Sequence, residues 1–433
     1  MDSDPRVLVV AFDDDLIGPL CEGLDQLGWP TMTARTLDAA VLVLKDMAVD
    51  AAVIDARGME GGAALARLRE AAAPRYLPIL MIGDESGQGD VDLAMSSAPH
   101  PAQAALRLDQ LTRAGIAEEE FKLRQQTFAA HGVTLQAPDL GDTPLQILTA
   151  GAADRRFLAM SNALSAAGAE VIAAPTPYTA FDYLHERAFD AAVLWGGQDH
   201  APALSIASGM KRNTRLYHIP LVLYLRGAAE VELADLFRRG FADVAAAETP
   251  EDETAERVLA LARNHRRRQA IRRALDSVRG SDLTDAATGL FTRDLFASHL
   301  ARLAEGARSR NRALSVCVLR VAERDPVVQA RDGGWLDRAM PQIGAMVSRL
   351  VRVEDTAARL GPELFALVLP ATSAAAARMA AERISAVIAC TAFDAGKDRS
   401  PFVVEFEVGV AEMRNGETPA AVLERASADL SRS

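Results

Sequence analysis

Arg352 and Asp355 stand three residues apart in the stretch RVEDTAARLGPELF, and their side chains could together hold a nucleotide. An arginine fork can bind the O6/N7 edge of guanine or a phosphate oxygen through paired, charge-assisted hydrogen bonds, and a carboxylate accepts hydrogen bonds from guanine N–H groups. A pair at this spacing also occurs by chance, and it then forms a surface ion pair that contributes little to stability. The surrounding elements must decide between a ligand site and an ordinary ion pair.

Length and composition limit the kinds of protein that could carry such a pair. The 433 residues are too many for one core and suit three domains, while 47 basic and 59 acidic residues give a net charge of -12. This charge disfavours general binding to nucleic-acid backbones. The sequence shows no targeting segment and no apolar run of membrane-spanning length, and Cys21, Cys317 and Cys390 match no metal or disulfide spacing. We therefore expect a cytoplasmic protein without membrane insertion.

Two similar series of short apolar segments precede the arginine–aspartate pair. The segments RVLVVAF, DAAVIDA and LPILMIG alternate with helical patterns, and LQILTAG, FDAAVLWGG and IPLVLYLRG repeat the series later in the chain. Continuous runs of Val, Ile and Leu between helices predict parallel sheets that are covered on both faces. The helix that follows is rich in arginine, which we interpret as the solvated face of a connecting helix: Arg266, Arg267, Arg268, Arg272 and Arg273.

The two repeated units resemble response-regulator receiver domains. Their phosphoryl transfer requires an aspartate at a strand end, an acidic pair that holds Mg²⁺, a hydroxyl group and a lysine. In the first unit the resemblance implies Asp55, at the end of AAVID, as the candidate phosphoacceptor. Ala11 and Phe12 replace the acidic pair, although Asp13 to Asp15 follow, and Gly83 stands at the hydroxyl position. Weak phosphorylation of Asp55 and an ordinary strand-end carboxylate both remain open.

The second unit lacks the acceptor chemistry altogether. Trp195 stands at the acceptor position, and an indole cannot accept a phosphoryl group. Gly151 and Ala152 replace the acidic pair, and Tyr224 with Leu225 ends the fourth strand without a Ser or Thr. A receiver fold without this chemistry most often serves as a packing or dimerisation surface, and we predict that role here.

The segment from residue 281 to the carboxyl end resembles the GGDEF domain of diguanylate cyclases. The resemblance depends on DAATGLFTRDLF, RLGPELFALVLP and VGVAEMRNGETPAAVLERASADL, which occur in the family order at suitable separations. With the two preceding units, the whole chain resembles one class of response regulators, in which two receiver domains precede a GGDEF domain.

The same resemblance implies that the catalytic chemistry is lost. An active cyclase needs carboxylates for two Mg²⁺ ions, a glycine turn that approaches GTP and basic side chains for its phosphates. Arg320 stands where the first metal-binding Asp would lie, and Pro362 and Leu364 replace residues of the signature turn. We therefore expect no enzyme activity, no catalytic residue and no catalytic magnesium. The alternative is a weak cyclase that uses Glu363 and Asp337.

The family also suggests an interpretation of the arginine–aspartate pair. In GGDEF domains an RxxD pair just before the signature, together with an arginine from the following helix, forms an inhibitory site for the product cyclic di-GMP. The resemblance therefore implies that Arg352, Asp355 and Arg383, the last within AAERISAVIA, bind cyclic di-GMP. Three matching positions favour this ligand site over a chance ion pair.

The sequence thus predicts an α/β protein with three domains. Receiver-like domains with the doubly wound, flavodoxin-like fold occupy residues 1–118 and 145–264, a linker occupies 119–144, a linker helix occupies 265–280, and an α+β, ferredoxin-related GGDEF domain occupies 281–433.

The function that we expect is that of a non-catalytic cyclic di-GMP effector in bacterial signalling, which forms a homodimer through its receiver-like domains. The resemblance implies adaptor proteins of regulated, cell-cycle-linked proteolysis as partners, with or without recruitment to a cell pole. The alternatives are a ligand-independent scaffold, a weak diguanylate cyclase and a phosphorelay acceptor.

Overall fold

The computed structural model describes residues 6–12, 14–57, 61–73, 75–83, 92–95, 98–152, 154–195, 200–213, 215–225, 232–278, 281–396 and 399–430, without the side chains of residues 14–16 and 61–62. The described chain forms two compact units. The first comprises the chain up to Gly115 together with Leu140–Gln269, and the second comprises Ile116–Asp139 together with the chain from Ala270.

The first sheet of the first unit is parallel and has the strand order β2-β1-β3-β4-β5. Its strands are β1 (Val7–Val10), β2 (Thr31–Ala34), β3 (Ala51–Asp55), β4 (Ile79–Ile82) and β5 (Leu93–Met95), and the helices are α1 (Asp14–Gln26), α2 (Leu37–Asp46), α3 (Gly61–Ala72) and α4 (Pro101–Ala130). All residues of β1, β3 and β4 are buried, as expected for strands covered on both faces.

A second parallel sheet repeats this order as β7-β6-β8-β9-β10. Its elements are β6 (Gln146–Ala150), α5 (Arg155–Ala166), β7 (Glu170–Ala174), α6 (Pro177–Glu186), β8 (Ala191–Trp195), α7 (Ala201–Arg212), β9 (Leu221–Tyr224), α8 (Leu233–Arg238), β10 (Asp243–Ala245) and α9 (Glu251–Asp276). The order 2-1-3-4-5 is that of flavodoxin-like doubly wound sheets. The prediction of two parallel α/β sheets is confirmed.

The carboxyl-terminal domain, in the second unit, is built on an antiparallel sheet with the order β12-β13-β11-β14. Its elements are α10 (Arg293–Arg310), β11 (Leu314–Val321), α11 (Asp325–Asp332), α12 (Trp335–Leu350), β12 (Thr356–Gly361), β13 (Leu364–Pro370), α13 (Ala374–Ala389), β14 (Phe406–Glu412) and α14 (Pro419–Asp429). Helices alternate with antiparallel strands, as the α+β prediction requires.

The second half of α4 belongs to the second unit and not to a linker. The sequence predicts a linker from residue 119, whereas the helix continues to Ala130. Phe121 and Phe128 are buried in a cluster with Ile271, Leu295 and Val353, and the Phe128 ring meets the Phe291 ring edge-on at 5.5 Å. Burial of two aromatic side chains stabilises the helix there, although the domain boundaries themselves stay a prediction.

Candidate functional site

The residues from Arg352 to Asp355 form a tight turn between α12 and β12. The Asp355 N–H group donates to the Arg352 carbonyl oxygen at 3.2 Å, and the Arg352 N–H group donates to Asp355 Oδ2 at 2.9 Å. Asp355 is 7% exposed, so its carboxylate closes the turn from inside, while the Arg352 side chain is exposed. The sequence analysis predicted Asp355 as a ligand contact and did not predict this structural role.

A recess of about 610 Å³, including space open to solvent, lies beside this turn. Arg352, Asp355 and Thr356 line it from the turn and β12, and Arg124 of α4 and Arg272 of α9 line it from the helices. The structure therefore places Arg352 and Asp355 together, as predicted from their spacing, and adds two further guanidinium groups.

Sequence reasoning missed both added arginines. No motif singles out Arg124, because its place in the recess depends on how α4 packs. The arginine cluster around Arg272 was visible in the sequence, but we interpreted it as a solvated helix face.

Arg383, the third predicted ligand residue, lies exposed on α13 and is not among the residues that line this recess. In the part of the chain that the structure describes, the guanidinium groups of Arg352 and Arg383 form no hydrogen bond or ion pair within the protein. Both groups are thus available to an anion or a guanine edge.

The signature region forms an ordinary hairpin despite its proline. Pro362 and Glu363 make the two-residue connection between β12 and β13, and Arg359 anchors the hairpin by an ion pair with Asp285 at 3.2 Å and a hydrogen bond to the Pro362 carbonyl oxygen. This ion pair joins two of the three sequence motifs that define the domain.

Carboxylates near the hairpin are engaged by arginines. Arg331 holds Glu363 through two hydrogen bonds of 2.6 Å, and Arg320 holds Glu407 at 2.8 Å. Among the described residues there is no group of three or more His, Cys, Asp or Glu side chains that could hold a metal ion.

Asp55, the candidate phosphoacceptor, lies at the carboxyl end of β3 and is 5% exposed. The Arg57 guanidinium donates to its two oxygens at 2.7 and 2.6 Å. Burial by itself raises the pKa of Asp55, but the hydrogen bonds and charge of Arg57 outweigh it and hold the pKa below its usual value. A carboxylate paired in this way stays ionised but is covered by Arg57. Of the residues expected around it, Asp13 and the side chains of Asp14 and Asp15 lie outside the described residues.

Aromatic rings fill the equivalent position in the second sheet. The Trp195 ring stacks on Tyr224 with a centroid distance of 4.5 Å and meets Phe157 edge-on at 5.3 Å. Gly151 has a φ of +148°, and a Cβ there would lie 2.2 Å from Trp195 Cβ, so the indole needs this glycine. This pocket accommodates an aromatic stack where a receiver domain would need its acceptor.

Comparison with known proteins identifies the class of the carboxyl-terminal domain. Residues 282–433 match the family model "Diguanylate cyclase, GGDEF domain". Over 387 residues, which are 85% of this chain and 83% of the relative, the chain is 22% identical to Response regulator PleD of Caulobacter vibrioides. These matches support a receiver–GGDEF architecture.

Two further matches concern the GGDEF domain alone. Diguanylate cyclase DgcP of Pseudomonas aeruginosa is 32% identical over 161 residues, which are 36% of this chain and 23% of that protein. The GGDEF domain of DgcB from Caulobacter crescentus, solved in complex with c-di-GMP, is 24% identical with a TM-score of 0.33, covering 36% of this chain and 89% of that one.

The expectation that the chain is not an enzyme is wrong on this comparison. The matched family is that of diguanylate cyclases, and DgcP is named as one. The expectation came from a few signature positions considered one at a time, such as Arg320 and Pro362, whereas the match extends over residues 282–433. Separately, no helix among the described residues is both long and apolar enough to cross a membrane.

Proposed function

We propose that this chain is a signalling effector whose GGDEF domain binds cyclic di-GMP through Arg352, Asp355 and Arg383. The observation that supports the proposal is the recess beside the Arg352–Asp355 turn. Arg352 and Asp355 line this recess together, and the side chain of Arg272 lines it from α9.

The chemistry of the recess matches a dianionic guanine dinucleotide. Arg352 offers an exposed fork for a guanine edge or a phosphate, and the Arg272 side chain adds positive charge to the wall. Arg383 would act from α13, so its contact requires a ligand that extends beyond the recess. The overall charge of -12 makes such a local concentration of guanidinium groups necessary for anion binding.

Calorimetric titration of the full chain with cyclic di-GMP tests this site. We expect binding by the wild type, loss of binding in Arg352→Ala and weakened binding in Arg383→Ala. Arg308→Ala is the control, because Arg308 lies on α10 and pairs with the exposed Glu305. Equal affinity in wild type and Arg352→Ala would reject the site, and absence of heat with the wild type at high micromolar ligand would favour a ligand-independent scaffold.

The two parallel sheets supply the partner-binding part of the proposal. They act as receiver-like domains that form a homodimer and recruit adaptor proteins of regulated proteolysis, and the ligand favours the partner-binding conformation. Sedimentation velocity with and without cyclic di-GMP measures the dimer. A monomer across the micromolar range would contradict this part and leave the ligand site unaffected.

Asp55 remains the candidate phosphoacceptor within this proposal. Because Arg57 covers the carboxylate, phosphorylation requires that side chain to move. Incubation with a small-molecule phosphodonor and a phosphate-sensitive gel tests it, with Asp55→Asn as the control. A shifted band that is absent in the variant supports the role, and no shift rejects it.

A second candidate function is synthesis of cyclic di-GMP from GTP, which the family match over residues 282–433 favours. Incubation of the full chain with GTP and Mg²⁺, followed by chromatography, measures it. A dinucleotide product that disappears in Glu363→Gln would support this function. Absence of product at micromolar protein would reject it without affecting the binding proposal.

A further inference from the structure

The turn that carries Arg352 and Asp355 is attached to α4, which lies outside the region that matches the GGDEF family. Arg124 of this helix is 3% exposed, and its Nη2 atom donates to the Asp355 carbonyl oxygen and to Thr356 Oγ1, both at 2.9 Å. One side chain from α4 therefore bridges the last residue of the turn and the first residue of β12.

Glu120, one helical turn earlier, fixes the position of this guanidinium. Its Oε1 atom accepts from Arg124 Nε at 2.7 Å, from the Thr356 hydroxyl at 3.1 Å and contacts His299 Nε2 at 3.0 Å. All four residues are buried. Arg124 cannot swing away without leaving a buried carboxylate short of partners, so the bridge to the turn is rigid.

A second, apolar attachment comes from the turn itself. Val353 is 9% exposed and packs in the same cluster as Phe121 and Phe128 of α4. The turn is thus held from both sides, by an arginine on its carbonyl end and by a hydrophobic contact at its tip.

These two attachments matter for binding because they add to the two hydrogen bonds between Arg352 and Asp355 that close the turn. A ligand that needs Arg352 and Asp355 in fixed positions would otherwise have to order the turn at the expense of affinity. A brace that orders the turn in advance removes that cost.

We infer that residues 116–130 of α4 are part of the ligand site, with Arg124 as a positioning residue that holds the turn in its binding conformation. The inference rests on the proposed function and adds a form of regulation. Docking of this helix segment on the GGDEF domain and binding of cyclic di-GMP favour each other, and by linkage the effect is reciprocal.

Ligand titration of matched variants tests the inference. Arg124→Met keeps much of the side-chain length but loses both bonds to the turn, and we expect roughly tenfold weaker binding of cyclic di-GMP. Arg312→Met is the control. Arg312 pairs with Glu119 of α4, as Arg124 pairs with Glu120, but it does not contact the turn. Wild-type affinity in Arg124→Met, with Arg352→Ala still unable to bind, would overturn this inference and leave the proposed function standing.

Hydrogen exchange supplies a readout that does not depend on ligand. In the protein without ligand, Arg124→Met should speed exchange of the amides of residues 352–356, whereas Arg312→Met should not. In the wild type, cyclic di-GMP should slow exchange along residues 116–130. Unchanged exchange at residues 352–356 in Arg124→Met would overturn the bracing role of Arg124. Absence of cyclic di-GMP binding by the wild type would instead reject the proposed function, and the exchange result would still decide the bracing role.

If Arg124→Met does not fold, the variant Thr356→Val is measured in its place. This change keeps a β-branched side chain at the start of β12 and removes the hydroxyl that bonds both Arg124 and Glu120. We expect a smaller loss of affinity with faster exchange at residues 352–356. Wild-type behaviour in both measurements would contradict the inference.

Discussion

At the scale of single residues, several buried charges are closely paired, and Asp243 illustrates this. It has no exposed surface, and Arg257 binds its two oxygens at 2.8 and 2.7 Å while Gln103 donates at 2.6 Å. Burial by itself raises the pKa of Asp243, but the charges of Arg257 and Arg107 outweigh it and hold that pKa below its usual value. Burial also lowers the pKa of Arg107 to about 10.

We predict that Asp243→Asn lowers the free energy of unfolding by about 3–5 kcal/mol, because it removes the close charge partner of the buried Arg257 guanidinium and leaves only the 3.4 Å contact with Glu253. Urea unfolding measures this. Asp235→Asn is the control, since Asp235 forms exposed pairs with Arg238 and Arg239 and such pairs contribute little to stability. Similar losses in the two variants would contradict the prediction.

At the scale of elements, α4 is joined to the GGDEF domain by a buried ionic network. Burial by itself raises the pKa of Glu120, but the charges and hydrogen bonds of Arg124 and His299 outweigh it and hold that pKa below the ordinary value of 4.5. A carboxyl group whose pKa is lowered on folding stabilises the protein above its unfolded-state pKa, and this stabilisation is lost as the pH falls through the folded-state pKa.

We therefore predict that the second unit loses stability on acidification below about pH 4.5, the ordinary pKa of a glutamate. Glu120→Gln should be less stable than the wild type at neutral pH and should show a shallower loss of stability in the acid range. Thermal unfolding from pH 7 to pH 3 measures both effects. Glu305→Gln changes an exposed glutamate on α10, and its stability should depend on pH as that of the wild type does. The same dependence of stability on pH in all three proteins would contradict the role of Glu120.

Helix α12, which leads into the Arg352–Asp355 turn, packs very closely on the first sequence motif of the domain. A Cβ atom at Gly344 would lie 2.5 Å from the Thr288 carbonyl oxygen. No shift of a flexible side chain relieves a contact with backbone, so α12 would have to move.

We predict that Gly344→Ala lowers the free energy of unfolding by about 1–3 kcal/mol, as overpacking does. Gly18→Ala in α1 is the matched control, because nothing lies within 4 Å of a Cβ there and alanine favours helix by about 1 kcal/mol. Chemical unfolding of the two variants should therefore change stability in opposite directions. Equal stability of Gly344→Ala and the wild type would show that α12 adjusts.

At the scale of the whole molecule, two parallel sheets and an antiparallel GGDEF sheet lie along one chain, in the architecture that the match to Response regulator PleD supports. The recess beside the turn is lined by residues from four separate stretches: α4, the end of α9, the segment 284–291, and residues 348–357 around the turn before β12. A ligand bound there contacts parts of the chain that are far apart in sequence, so its binding should stabilise more than the turn.

We predict that cyclic di-GMP at about 100 times its Kd raises the free energy of unfolding of the second unit by about 2.7 kcal/mol. Thermal unfolding with increasing ligand measures the shift. Arg352→Ala should show no shift at the same concentrations. A shift of the same size in the variant would place the ligand elsewhere.

The sequence by itself determined the sheets, because a strand buried on both faces requires a continuous apolar run and a crossover helix. The spacing of Arg352 and Asp355 also indicated that these two residues lie close together, although not that the Asp355 carboxylate closes the turn. The third domain was recognisable for a similar reason, because its motifs are short and contiguous.

Only the tertiary structure decided what surrounds those local features. Arg124 lies far from Arg352 in sequence and reaches the turn because Phe121 and Phe128 bury α4 against the domain. The sequence motifs did not predict the Arg57–Asp55 ion pair, and they did not predict that α4 continues beyond residue 119. Both features depend on which side chains fill the space around a buried group. Contacts between distant segments depend on packing, and a linear pattern does not contain the packing.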